Sequence, residues 1–208
     1  MAFIEPGLYD MIMRLRGRGI SDTNILRAME KVPRSAFVLQ SHYSEAYDEK
    51  DLPIACGQSL PAPLSVAIMC QTLDVKPDHK VLQIGTGSGY TAAILSQLCT
   101  RVYSIERYQT LVQSAEEALN KHAPNVVPKF GDGRYGWRGQ TPFDRILITA
   151  GIKSPPKALI DQLKHDGRLV AVIDDMLTII EKSGNKPKET KVLRMQLSPI
   201  EPGKAQAL

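Results

Sequence analysis

The sequence predicts an α/β fold with a doubly wound, mostly parallel sheet, preceded by N-terminal helices and followed by a C-terminal antiparallel hairpin. The main observation is the stretch 80–106, where an apolar run, a glycine-rich turn, a helical apolar repeat and a second strand-like run follow one another. Strand and helix patterns then continue to alternate as far as residue 173. The segment 143–150 is mostly apolar, which is typical of a central parallel strand buried on both faces.

The chain before the first strand is expected to be helical and then irregular. Residues 5–40 have helical apolar spacing, with Ser21 as the N-cap of a helix over 22–31. Residues 41–63 contain three prolines and a glycine and lack strong periodicity, which predicts a long loop, often a functional feature. Pro63 is expected near the start of the next helix.

The elements of the sheet follow in order from residue 80. The predicted strands are 81–84, 101–105, 126–130, 143–150 and 168–173, and the helices are 88–98, 107–121 and 157–163. Residues 177–180 and 192–195 flank a turn that contains 184–187, which predicts the hairpin, and the tail from residue 202 is expected to be loose. We expect one domain over 1–208, with an N-terminal helical and loop region (1–79), a core (80–173) and a hairpin with tail (174–208).

Composition and charge argue against several classes of protein. Hydrophobic residues make up 43% of the chain and charged residues 23%, and no apolar run approaches the roughly 18 residues of a membrane span. The net charge of +4 is modest and scattered, so it does not predict nucleic-acid binding. Neither the three cysteines nor the four histidines have metal-ligand spacing. We therefore expect a cytoplasmic monomer with no metal and no membrane or nucleic-acid partner.

The glycine turn 85–89 is expected to hold a nucleoside ligand. Tyr90 stands where a dinucleotide fingerprint has its third glycine, and the chain contains no phosphate-binding P-loop motif. S-Adenosylmethionine, a nucleoside with an amino-acid tail, suits this turn better than a pyrophosphate. Its carboxylate would lie near the loop amides, its ribose hydroxyls on Glu106 and its adenine amino group near Asp132.

Several short motifs also occur in an order typical of one enzyme family. They are 32–38, 46–47, 52–54, 57–58, 81–90, 103–107, 131–133, 136–137, 142–144, 158–164 and 167–169. With these motifs the chain resembles the protein-L-isoaspartate O-methyltransferases over nearly its whole length. The resemblance implies a Rossmann-like methyltransferase that methylates the free α-carboxylate of L-isoaspartyl residues in damaged proteins, a step in protein repair. The residues assigned to the cofactor are Gly85, Thr86, Gly87, Ser88, Gly89, Glu106, Arg107, Asp132, Gly133 and Thr149.

The loop that the resemblance assigns to the acceptor departs from the family's pattern. Pro61 stands where the family has its active-site serine, and proline offers neither a hydroxyl nor an amide hydrogen. Ser59 stands at a threonine position, where it either supplies a replacement hydroxyl or holds the loop.

Three further departures cluster at the methionyl end of the cofactor or on the acceptor side. Gln83 replaces an acid of the first strand, and 149–153 replaces a run of alanines and a proline. The segment 172–175, which ends in Asp174 and Asp175, stands where the family tends to have Pro-Val-Gly. Its two acids would repel a carboxylate if they face the pocket, whereas solvent-facing acids would have no such effect.

Other functions stay open because of Pro61. One is a methyltransferase of the same fold with a different acceptor, and another is a cofactor-binding protein with little catalysis. Tyr90 disfavours a dehydrogenase. A nucleic-acid methyltransferase is disfavoured because the Asn/Asp-Pro-Pro-Tyr/Phe motif is missing at 149–152.

Overall fold

The computed structural model describes residues 5, 7–183 and 186–204. Three helices precede the sheet, namely α1 (Leu8–Gly17), α2 (Thr23–Lys31) and α3 (Pro63–Leu73). The helix that starts at Pro63 confirms that prediction, but the predicted N-cap of α2 is wrong. Asp22 caps α2 because its Oδ1 accepts from the amides of Asn24 and Ile25, at 2.8 and 3.4 Å. The amide of Ser21 instead donates to the side chain of Gln71.

Between α2 and α3 the chain is irregular, with short 3₁₀ turns at Arg34–Phe37, Gln40–Glu45 and Ala55–Gly57. Residues 34–40 are therefore not part of an α-helix, because Pro33 disfavours the helical conformation of the residue before it. Two short strands, β1 (Leu52–Pro53) and β2 (Ser59–Leu60), pair antiparallel inside the predicted loop.

One sheet with the order β5-β4-β3-β6-β7-β8-β9 forms the centre of the molecule. Its strands are β3 (Lys80–Ile84), β4 (Arg101–Glu106), β5 (Val126–Phe130), β6 (Phe143–Ile152), β7 (Leu163–Ile173), β8 (Met176–Glu181) and β9 (Lys188–Arg194). The strands from β3 to β7 pair in parallel, and β8 and β9 form the antiparallel hairpin. This arrangement confirms the predicted fold class. Residues 184 and 185 of the predicted hairpin turn lie outside the described residues.

The chain moves outward from β3 in both directions, to β4 and β5 on one side and to β6 and β7 on the other. Ligands of open parallel sheets bind at such a switch point, outside the carboxyl ends of the strands. The fold therefore directs attention to the crevice above Ile84 and Thr149.

The remaining helices are α4 (Tyr90–Ser96), α5 (Gln109–His122) and α6 (Lys157–Ile160). The predicted helix 157–163 is too long, because Leu163 already pairs with Phe143 as the first residue of β7. Strand pairing with a distant segment has overridden the local helical pattern here.

The apolar core lies on both faces of the sheet. Ile146 and Ile148 pack into one cluster of buried side chains, and Leu147 packs into the other. Buried residues of α1–α3 belong to the second cluster, so the N-terminal helices share the core of the sheet. The division at residues 79 and 173 stays a prediction. No helix within the described residues has both the length and the apolar character to cross a bilayer.

Candidate active site

A cavity lies at the carboxyl ends of β3, β4 and β6. Six parts of the chain line it: the glycine turn with its flanking residues, the end of β4 and the residues after it, the turn after β5, the end of β6, the loop before α3, and a C-terminal segment. The lining residues include 83–88, 106–108, 133, 149–150, 58–61 and 197–201, together with Asp51 and Tyr90.

The glycine turn needs glycine at Gly85 for both conformational and steric reasons. Its φ is +90°, and a Cβ at this position would lie 2.7 Å from Oγ1 of Thr149. That hydroxyl donates towards the carbonyl oxygens of Ile84 and Gly85, at 2.9 and 2.7 Å. Thr149 therefore ties the end of β6 to the turn after β3, and both residues line the cavity.

Glu106 ends β4 with its carboxylate fixed by backbone amides. Oε2 accepts from Gly87, at 2.9 Å, and Oε1 accepts from Arg107 and Tyr108, at 2.8 and 3.1 Å. A carboxylate offers roughly four acceptor positions, so at least one remains for a further donor. The residue is 6% exposed and lines the cavity, so its oriented carboxylate is available there, and the ribose contact stays a prediction.

Two residues assigned to the cofactor do not line the cavity. Gly89 faces α5, where a Cβ would lie 3.2 Å from Leu119. Asp132 is held by Arg134, whose Nη2 lies 2.7 Å from Oδ2, and the amide of Gly203 donates to the same oxygen at 3.0 Å. The hydrogen bonds from Arg134 hold the pKa of Asp132 below its usual value. The other eight assigned residues line the cavity, and contact of any of them with the cofactor stays a prediction.

Three residues around the glycine turn carry buried polar atoms with no hydrogen-bond partner in the described part of the protein. These atoms are Oε1 of Gln83, Oγ of Ser88 and the hydroxyl of Tyr90, and all three residues line the cavity. Burial raises the pKa of Tyr90 to about 12, so its hydroxyl keeps its proton at neutral pH. Unpaired buried polar groups are costly, and at a cavity they indicate a place for a polar ligand.

The loop before α3 reaches the cavity through the β1–β2 pair. Pro53 pairs with Ser59, and the amide of Ile54 donates to the carbonyl of Gln58 at 2.9 Å. This tight turn brings Ser59 and Pro61 to the cavity wall, where we call residues 58–61 the acceptor loop.

Asp174 and Asp175, unlike the acceptor loop, do not reach the cavity. Both are exposed, have positive φ and form the connection between β7 and β8, and neither lines the cavity. The structure therefore supports the solvent-facing alternative.

The C-terminal segment was missed by sequence analysis. The amide of Gly151 donates to Ser198 and its carbonyl accepts from Ile200, both at 2.8 Å, which places 197–201 on the cavity. Arg107 binds the side chain of Glu201, and also donates to the carbonyl of Pro202 at 3.1 Å. The expectation of a loose tail is thus wrong for residues 202–203, while 205–208 lie outside the described residues. Apolar residues after the last strand were the only signal.

Comparison with known proteins shows the family to which the chain belongs. A family model described as protein-L-isoaspartate(D-aspartate) O-methyltransferase matches residues 8–199. The chain belongs to this family. A protein-L-isoaspartate O-methyltransferase of Maricaulis maris is 41% identical and covers 100% of both chains. One from Parvibaculum lavamentivorans is 43% identical over 97% of this chain and 94% of its own.

A solved structure of another protein shares the fold of this family member. It is a Plasmodium falciparum protein described as a putative protein-L-isoaspartate O-methyltransferase in complex with S-adenosyl-L-homocysteine. The TM-score is 0.81 at 20% identity, with 95% of this chain and 99% of the other covered.

Among the described residues of the present chain, no group of three or more His, Cys, Asp or Glu side chains is arranged to hold a metal.

Proposed function

We propose that this chain transfers the methyl group of S-adenosylmethionine to the free α-carboxylate of L-isoaspartyl residues in damaged proteins. The observation that carries the proposal is that one cavity joins the glycine turn and Glu106 to the acceptor loop. A methyl donor and an acceptor must share one enclosed space for direct transfer. We also propose that the protein acts as a cytoplasmic monomer with isoaspartyl peptides or proteins as its partners.

The residues of the cavity fit the proposed cofactor. Glu106 would accept from a ribose hydroxyl, because three backbone amides orient its carboxylate and leave acceptor capacity free. The unpaired Oε1 of Gln83 and the unpaired hydroxyl of Ser88 offer partners for a charged amino-acid tail. Bound there, S-adenosylmethionine supplies an electrophilic methyl group.

The acceptor needs orientation and does not need a base. A carboxylate with a pKa of about 4 is already ionised at neutral pH. The chain must therefore hold the acceptor in line and exclude water. Ser59 is the hydroxyl that the acceptor loop presents at the cavity, and we assign it to the acceptor carboxylate.

The direct test is an isoaspartyl peptide with labelled cofactor, compared with the same peptide containing ordinary aspartate. We expect methyl ester from the isoaspartyl peptide only. Ser59→Ala should lower kcat/KM about tenfold, the effect of one hydrogen bond to a charged group. Ser44→Ala, an exposed serine outside the cavity, serves as the matched control. Cofactor binding without ester above background would refute the proposal, and unchanged turnover in Ser59→Ala would remove that residue from its role.

A second candidate is a methyltransferase with a different acceptor, or a cofactor-binding protein with little catalysis. It is favoured because the acceptor loop and the residue after it offer few free hydrogen-bond donors. Pro61 has none, and the amide of Ala62 is already bound by Asp51 at 2.7 Å. Tight cofactor binding together with an inactive isoaspartyl assay would support it.

A further inference from the structure

Arg34 is a buried cation with no carboxylate in contact. Its side chain is 0% exposed, and it forms no ion pair with any residue in the described part of the chain. Nε donates to the carbonyl of Ala46 and Nη2 to that of Pro61, both at 2.8 Å, while Nη1 has no hydrogen-bond partner. A buried charge is costly unless it is compensated, so its retention calls for a reason.

The surroundings of Arg34 compensate the charge only in part. The guanidinium carbon lies 4.8 Å from the centre of the Tyr90 ring, whose residue lines the cavity. Glu49 and Asp51 lie nearby, but their carboxylates accept from the amides of Leu64 and Ala62 at the start of α3. Both carboxylates keep their negative charge, and Asp51 itself lines the cavity, so Arg34 offsets negative charge at this wall.

The two carbonyls that Arg34 binds stand at the two ends of the segment 46–61. This segment carries the β1–β2 pair and delivers the acceptor loop to the cavity. Pro61 has no amide hydrogen, so within its backbone only the carbonyl is available for a hydrogen bond. One planar guanidinium thus closes the segment and holds the residue that replaces the family serine.

We propose that Arg34 is a positioning residue for the acceptor. It fixes the acceptor loop through the carbonyl of Pro61, and its charge offsets that of Glu49 and Asp51, so that an acceptor carboxylate binds in preference to a neutral group. The second statement rests on the proposed function, because that function defines the acceptor. The first statement does not depend on which acceptor is bound.

The charge is tested by competition binding in the presence of S-adenosylhomocysteine. The ligands are an isoaspartyl peptide and the same peptide with its α-carboxylate converted to a carboxamide. We expect the protein to bind the carboxylate at least about tenfold more tightly, and Arg34→Met to bind both peptides about equally. Arg34→Lys should keep part of the preference, because it retains the charge. An unchanged preference in Arg34→Met would overturn this part of the proposal.

Arg145 provides the matched control. Unlike Arg34 it is only partly buried and lies 3.8 Å from a carboxylate oxygen of Asp74, but its Nε likewise donates to backbone carbonyls, those of Leu73 and Asp74, at 2.9 and 3.0 Å. It does not line the cavity. Arg145→Met should lose stability without changing the ratio of the two peptide affinities. A ratio that falls equally in both variants would show a general structural effect and would also overturn the proposal.

The loop is tested by hydrogen exchange with S-adenosylhomocysteine bound, which does not require an acceptor. Arg34→Met should accelerate exchange of the amide of Ile54 about tenfold or more, while that of Gly85 and the affinity for S-adenosylhomocysteine stay within about twofold. If Arg34→Met does not fold, Arg34→Lys takes its place with a smaller acceleration, because an ammonium cannot hold both carbonyls in a fixed fork. Unchanged exchange in a folded variant would overturn the positioning role. If no isoaspartyl binding is found but the loop loosens, the proposed function fails and the positioning role stands.

Discussion

Pro61 is the residue whose chemistry departs most from what the acceptor loop is expected to do. Its carbonyl is held by Arg34, but the residue offers no donor to an acceptor carboxylate. Pro61→Ser restores a hydroxyl at the cavity wall. We expect kcat/KM for an isoaspartyl peptide to rise about tenfold or more, since a hydrogen bond to a charged group contributes about 1.5–3 kcal/mol.

The control for this substitution is Pro53→Ser. Pro53 lies on the neighbouring strand β1, opposite Ser59, and is exposed outside the cavity. Steady-state kinetics with a labelled cofactor should show no gain for this variant. Equal or lower turnover in Pro61→Ser would mean that the loop orients its acceptor by other groups.

Glu106 is the carboxylate on which cofactor binding is predicted to depend. Glu106→Gln keeps the size of the side chain but replaces one of the two accepting oxygens with an NH2 group, which is a donor. At least one of the buried backbone amides then loses its hydrogen-bond acceptor. We expect the Kd for S-adenosylmethionine, measured by titration calorimetry, to rise about 10- to 100-fold.

Glu181→Gln tests whether that loss is specific. Glu181 accepts from Arg168 at 2.8 Å on the far part of the sheet and does not line the cavity. Its partly exposed ion pair should contribute little, so cofactor affinity should stay unchanged. Wild-type affinity in Glu106→Gln would exclude the ribose role.

The two-residue connection between β7 and β8 carries strain in the backbone. Asp174 and Asp175 have φ values of +46° and +59°, and Ile173 pairs with Met176 on either side. Hairpin turns with positive φ at both central residues favour Asn-Gly. The double variant Asp174→Asn, Asp175→Gly should therefore raise the free energy of unfolding by about 1 kcal/mol, and raise Tm by about 2–4 °C.

Asp175→Ala separates backbone strain from the lost side chain. Both changes remove the exposed hydrogen bond that Gln196 donates to Asp175, at 3.2 Å, but only glycine relieves the positive φ. Thermal unfolding should show a gain for the Asn-Gly variant and none for Asp175→Ala, with methyl transfer unaffected in either. An equal rise in Tm in both variants would mean that the gain comes from loss of the Asp175 carboxylate and not from relief of backbone strain.

Elements whose signals are local were predictable from the sequence. The strand β3 and its glycine turn follow from neighbouring residues, and so does the start of α3 at Pro63. The early end of α6 was not predictable, because it depends on the pairing of Leu163 with Phe143 about twenty residues earlier. The N-cap of α2 is a different case: Asp22 bonds amides two and three residues further on, but Asp and Ser are about equally good caps, so the choice between Ser21 and Asp22 was open.

At the level of the whole chain, the cavity combines segments from both ends of the sequence. The part of the cavity formed by Gly85 and Glu106 was predictable because both residues lie in one βαβ unit. The contribution of 197–201 was not predictable, because its position depends on Gly151 and Arg107, which lie far away in sequence. The hydrogen bond that Asp132 accepts from the amide of Gly203 was not predictable for the same reason, because Gly203 lies near the C-terminus.

The C-terminal segment should hold the cofactor side of the cavity closed. A chain that ends at Gln196 loses a whole wall of the cavity, including the partner of Arg107 at Glu201. We expect its Kd for S-adenosylmethionine to rise about tenfold or more, because the ligand would lose contacts and gain exposure to water. A chain that ends at Lys204 keeps this wall and should bind as the full chain does.

Glu201→Ala distinguishes closure from stability, since it removes one contact and leaves the bonds at Gly151 in place. It should speed cofactor dissociation in stopped-flow measurements without lowering Tm by more than about 2 °C. Equal dissociation rates in the full chain, the chain that ends at Gln196 and Glu201→Ala would show that 197–201 lies on the cavity without controlling it.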